Sequence, residues 1–183
     1  MFQHTRINSD LNFFQKLKNL DYVLLVCIIL LSITSTLVMY STDGGEFLYH
    51  TKSHASKLLV FFIMMLVISF FNIKFWHHLS YFFYFMTILL LIYVSIFGIK
   101  VSGSQRWIDL YYIVLQPSEL MKIAVILCLA KYYHRVNVEK INSFISISLA
   151  LTLILIPVIL VLAQPDLGTS ILIISSGLII LWL

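Results

Sequence analysis

The chain has 183 residues, 61% of them hydrophobic and 11% charged, with a net charge of +4. A soluble domain is about 45–50% apolar and about 25% charged. A chain this short could not bury so much apolar surface in water, so the composition implies a lipid solvent. The positive charge comes from Lys and Arg near the ends of apolar runs and not from a basic stripe, so a nucleic-acid partner is not expected.

A membrane-spanning helix needs about 20 mostly apolar residues. Residues 1–20 precede the first such run. There Leu11, Phe14 and Leu17 recur at spacings of three among Lys16 and Lys18, which fits a short cytoplasmic helix lying on the membrane surface. A disordered tail is the alternative. Tyr22–Tyr40 is uncharged and as long as a span, so it reads as a retained anchor helix and not as a cleaved signal. Asp43-Gly44-Gly45-Glu46 reads as a turn. His50 and His54 could share a helix face but lack a third metal ligand.

Leu58–Ile73 is framed by Lys57 and Lys74, whose stems can reach the interfaces. Trp76-His77-His78 suits an interfacial belt. Leu79–Ile99, Pro117–Tyr133 and Ile141–Gln164 supply three more spans, the last with an internal Pro157. Leu167–Leu183 completes the set without a flanking charge, so the chain is expected to stop inside its last span and to hold that helix poorly. Cys27 and Cys128 lie in apolar runs with no Cys or His at ligand spacing, and neither a disulfide nor a metal site is expected. The resulting fold class is all-α: one transmembrane domain over residues 1–183, a polytopic membrane helix bundle of about six spans by the apolar-run criterion.

Lys/Arg bias sets the orientation. A cytoplasmic N-terminus places Arg6, Lys16, Lys18, Lys74, Lys131, Arg135 and Lys140 inside, and leaves Lys52, Lys57, Lys100 and Arg106 outside. Ser41–Ser56, Lys100–Gln116 and the turn around Pro165 and Asp166 then face outward.

Ionisable groups at membrane depth are costly and mark functional candidates. The richest region runs from Lys100 to Lys122. Pro117 suits the first position of a helix, and Glu119 in the first turn suits the helix dipole. Glu119 and Lys122 share a face, and Lys122 lies roughly 7–8 Å below the helix start. In one reading this is a polar cavity where the Arg106 fork and Lys122 take phosphate oxygens. In the other, Glu119 and Lys122 neutralise each other and Arg106 snorkels to the interface. Gln164-Pro165-Asp166-Leu167-Gly168-Thr169 is the second candidate. Its composition suits a tight turn and a helix start, and Gly168 would permit close helix approach.

Three segments carry a family resemblance: Gly103-Ser104-Gln105-Arg106-Trp107, then Gln116-Pro117-Ser118-Glu119-Leu120-Met121-Lys122, then Gln164-Pro165-Asp166-Leu167-Gly168-Thr169-Ser170. In this order and at these separations they resemble the SEDS family (shape, elongation, division and sporulation), also called FtsW/RodA/SpoVE. Asp21-Tyr22 and Met39-Tyr40-Ser41 extend the likeness over essentially the whole chain. Gln105 and Leu167 point to the RodA branch. Tyr111 departs from it, since Gly is common there.

The resemblance implies a peptidoglycan glycosyltransferase of the bacterial inner membrane. Such enzymes polymerise lipid II during lateral cell-wall elongation, maintain rod shape and work with a class B penicillin-binding protein. It implies that Arg106, Glu119 and Lys122 line the lipid II cavity. Gln105, Trp107, Gln116, Pro117, Ser118, Pro165, Asp166, Gly168 and Thr169 are motif residues whose role can be structural. Family members have about ten spans by the same apolar-run criterion, so the likeness covers their N-terminal half. Their catalytic carboxylate belongs to a loop with no counterpart here. No catalytic residue, metal or cofactor is therefore assigned, and whether this chain is itself an enzyme stays open. A flippase for lipid-linked sugars and a non-catalytic remnant subunit are the alternatives.

Overall fold

With no water in a bilayer core, backbone polar groups must find partners within the chain, and helices meet that demand locally. The computed structural model describes residues 18, 20–101, 104–110 and 114–182. The surface helix expected around Leu11–Leu17 falls outside them, as do Gly103 and Tyr111.

Six α-helices correspond to the six apolar runs: α1 (Tyr22–Thr42), α2 (Tyr49–Ser69), α3 (Ile73–Phe97), α4 (Pro117–Arg135), α5 (Phe144–Leu162) and α6 (Leu167–Trp182). By length and composition α1, α2, α3 and α5 can each cross a membrane. α4 carries Glu119, Lys122, Lys131 and Arg135, and α6 has 16 residues. Two helices start earlier than the apolar pattern suggests. α2 begins at Tyr49, not near Leu58, and α3 begins at Ile73 and takes in Trp76–His78. Between α3 and α4 the chain forms an unanticipated antiparallel sheet in the order β1 (Ile99–Val101), β2 (Ser104–Asp109), β3 (Val114–Leu115). The helices fall into two compact units, Met1–Asn72 and Ile73–Leu183.

In the first unit, Asp21 caps α1 by accepting from the backbone N–H groups of Val23 and Leu24 at 3.0 and 3.1 Å. No residue of α1 is buried within the protein, which suits a helix whose solvent is lipid. Gly44 and Gly45 take the positive φ values of 77° and 85° that the turn after α1 requires. This turn brings Asp43 to the start of α2, where its Oδ2 accepts from the Thr51 backbone N–H at 2.8 Å and from the Thr51 hydroxyl at 2.6 Å. A cap from eight residues upstream explains why α2 starts so early. Deeper down, the Ser35 hydroxyl and His54 Nε2 meet at 2.7 Å and join α1 to α2.

In the second unit α4 is the central helix. Its Met121, Ala124, Val125, Cys128 and Leu129 are buried against Tyr84 and Leu91 of α3, Ala150, Ile154 and Val158 of α5, and Ile173 of α6. At Gly177 α6 packs closely on α5, since a Cβ there would stand 2.7 Å from the Ile154 side chain. Pro157 lies inside α5 and has no N–H to give to the carbonyl four residues back, at Leu153. The Tyr84 hydroxyl of α3 fills that vacancy, donating to the Leu153 oxygen at 2.9 Å.

Two predictions follow from these contacts. Tyr84→Phe should lower stability by about 1–3 kcal/mol by leaving a carbonyl without a partner. The loss should shrink in a Pro157→Ala background, where the helix supplies its own donor, as read by thermal unfolding of the four variants in detergent. At Asp43 the Thr51 hydroxyl, then the Thr51 backbone N–H, hold the pKa below the ordinary value of 3.8. A depressed carboxylate pKa adds stability that is complete above the unfolded value and lost as pH falls through the folded one. Below about pH 4 the thermal midpoint of the parent should therefore fall more steeply than that of Asp43→Asn.

Candidate functional site

The site is built where β2, the start of α4 and the α5–α6 turn come together. The ladder pairs Ile99 with Trp107 but Lys100 with Gln105, so Arg106 is the extra residue of a β-bulge. A bulge bends its strand and re-aims a side chain, and Arg106 reaches the α5–α6 turn. Its Nε donates to the Gln164 carbonyl at 3.0 Å, one Nη donates to the Pro165 carbonyl, and the other lies 3.6 Å from Asp166 Oδ1. Gln105 and Trp107, its neighbours in the motif, are half-buried and pair in the strand.

Asp166 is 6% exposed. It is the residue just before α6, and its Oδ1 accepts from the Thr169 backbone N–H at 3.2 Å, as a helix cap does. Oδ2 accepts from the Thr169 hydroxyl at 2.7 Å and from the Gln116 amide at 3.0 Å. The Ser170 hydroxyl bonds the Asp166 carbonyl at 2.7 Å. Gln116 is the N-cap position of α4 and makes no side-chain cap there, because its amide is turned to Asp166. Pro117 takes the first helical position, as its missing N–H favours. The Ser118 hydroxyl is buried without a hydrogen-bond partner.

Glu119 and Lys122 pair across one turn at 2.9 Å, with the Glu119 side chain 55% exposed and that of Lys122 25% exposed. Of the two readings the sequence left open, the mutual pairing of Glu119 and Lys122 is present. Arg106 is bonded to the α5–α6 turn. Gly168 is exposed, and a Cβ there would meet nothing within 4 Å. The close helix approach expected at Gly168 falls instead at Gly177, because Gly168 sits on the open side of the first turn of α6.

Sequence reasoning placed Gln164 in the second candidate segment but did not foresee its partners. It is 3% exposed, and its amide donates to the Leu91 carbonyl and the Ser95 hydroxyl of α3, each at 3.0 Å. The signal available was an amide closing a long apolar run, where a buried polar group needs a partner.

The family model described as cell cycle protein, FtsW/RodA/SpoVE, matches residues 15–183. The chain is 35% identical over 165 residues to the peptidoglycan glycosyltransferase MrdB of Escherichia coli K12, covering 90% of this chain and 44% of that protein. It is 31% identical over 162 residues to the probable peptidoglycan glycosyltransferase FtsW of Buchnera aphidicola subsp. Baizongia pistaciae, covering 86% and 43%. The chain thus spans about half the length, 44%, of the relatives it matches. Among solved structures, the Thermus thermophilus rod-shape-determining protein RodA superposes with a TM-score of 0.79 at 22% identity, over 90% of this chain and 53% of that one. A chain of a peptidoglycan synthase complex superposes with a TM-score of 0.75 at 24% identity, over 85% and 45%. These two likenesses show the fold. The family match shows the lineage: the chain belongs to the FtsW/RodA/SpoVE family, is RodA-like, and is a multi-pass membrane protein.

Because Arg106 and Asp166 act on one turn, their effects should not add. Arg106→Gln and Asp166→Asn should each lower the thermal midpoint, and a double-mutant cycle should give a coupling of about 0.5–3 kcal/mol. Additive losses would mean that the two side chains act separately.

Proposed function

We propose that this family member is the lipid II-binding portion of a SEDS-type peptidoglycan glycosyltransferase, one that polymerises lipid II during lateral cell-wall elongation and maintains rod shape. The observation that carries this reading is the 35% identity to a named peptidoglycan glycosyltransferase across 90% of the chain. The setting is the bacterial inner membrane with a cytoplasmic N-terminus, and a class B penicillin-binding protein is the partner. A solved neighbour drawn from a peptidoglycan synthase complex supports that pairing.

Lipid II presents a pyrophosphate between its sugars and a long apolar tail. A protein that holds it needs positive charge at headgroup depth beside a lipid-facing surface. Lys122 meets that need, one turn into α4 and reachable from outside. Its partner Glu119 is the more exposed of the two and can swing away as a phosphate oxygen takes its place. Arg106 is committed to the Gln164 and Pro165 carbonyls. Its part is therefore to hold the mouth of the site in shape, with its guanidinium edge adding positive potential there. Asp166 is likewise spent on Thr169, Gln116 and Arg106, which leaves it unsuited to act as a general base.

The second reading is a flippase for lipid-linked sugars. It is favoured by the fact that Glu119 and Asp166, the carboxylates at this site, are both already bonded. Binding of a fluorescent lipid II analogue tests the shared step. Lys122→Ala should weaken binding roughly tenfold, the worth of one charge-assisted hydrogen bond. Glu119→Gln should leave binding equal or tighter, because it frees Lys122. Unchanged binding in Lys122→Ala would remove this residue from the site. In proteoliposomes holding the complete polymerase, glycan strands would separate polymerisation from translocation alone.

A further inference from the structure

The opposite end of α3 and α4 holds a second concentration of charge, roughly 22 Å of helix from Gln116. Lys131, near the end of α4, is 5% exposed. Its Nζ donates to the His78 carbonyl at 2.8 Å and stands 4.5 Å over the centre of the Tyr81 ring. The Arg135 guanidinium lies 5.6 Å over the same ring. Beside them His77 meets His134 edge-on at 5.0 Å, and His77 Nε2 is enclosed without a hydrogen-bond partner.

Among the described residues the ion pairs are Arg106–Asp166 and Glu119–Lys122, and no described carboxylate pairs with Lys131 or Arg135. Glu139, the acidic residue nearest in sequence, is exposed in the Val138–Lys140 turn and pairs with neither. A buried ammonium without a counter-charge costs several kcal/mol. One carbonyl and one ring face offset only part of that. An anion from outside the chain would supply the rest, and it would have to fit a place where α3 begins and α4 ends. The anion abundant there is the phosphate of a lipid headgroup, and basic pockets between spans take such groups. Phe82 and Phe85 of α3 stay exposed to receive acyl chains beside it.

We propose that Lys131, Arg135, His77 and His134, arranged around Tyr81, form a binding site for the phosphate of an anionic phospholipid. The site lies at the other end of α4 from Lys122 and does not depend on the glycosyltransferase reading. Inorganic phosphate offers the same chemistry without the chains, so the test must separate the two sources.

The intact chain is purified in neutral detergent and titrated with phosphatidylglycerol, phosphatidylcholine or inorganic phosphate. Retained lipid is counted by native mass spectrometry, and the thermal midpoint is followed in parallel. Phosphatidylglycerol should be retained and should raise the midpoint, whereas phosphatidylcholine and inorganic phosphate should do neither. Arg135→Gln, an exposed position that the fold tolerates, should weaken phosphatidylglycerol retention about fivefold. Lys140→Gln, an exposed charge outside the cluster, should change it less than about twofold. Three results would overturn the site: equal retention of both lipids, equal losses from Arg135→Gln and Lys140→Gln, or protection by inorganic phosphate as strong as by phosphatidylglycerol.

Discussion

Asp166 joins three parts of the second unit. It caps α6 through Thr169, anchors Gln116 at the start of α4, and draws Arg106 in from β2. The turn that carries it is held from the other side by Gln164, which bonds α3. A carboxylate this enclosed is tolerable only because each oxygen has donors and a cation stands beside it. Remove it, and the Gln116 amide, the Thr169 hydroxyl and the guanidinium all lose a partner where few waters can replace it.

The helices around this node follow the logic of a lipid solvent. The most enclosed helix, α4, is the most charged, while α1, uncharged throughout, buries nothing within the protein. Water would invert that order. In lipid, the apolar helices can face outward, and the charged one must be covered. The same rule governs Pro157, whose missing donor would be costly in hydrocarbon and is replaced by Tyr84 from a neighbouring helix.

Charge is distributed along α4 in two separate arrangements. At its start Lys122 is balanced by the more exposed Glu119. At its end Lys131 is buried over Tyr81, and among the described residues no carboxylate pairs with it.

The apolar runs and the three motifs were enough to read six helices, the membrane setting and the family, because hydrophobic length and motif order are local properties of the chain. Pro117 at the head of α4 and the pairing of Glu119 with Lys122 were legible for the same reason, since helix geometry fixes neighbours three apart. The partners of Arg106 were not legible. Its side chain is aimed by a one-residue bulge in a short sheet, and its acceptors are backbone carbonyls far along the chain. The partners of Gln164, Tyr84 and Lys131 were not legible either, since each bonds a carbonyl of another helix. Sequence alone therefore determined which segments form helices and which family the chain belongs to. Only the tertiary structure decided which polar group meets which, because backbone carbonyls carry no side-chain signature and become partners only when helices pack.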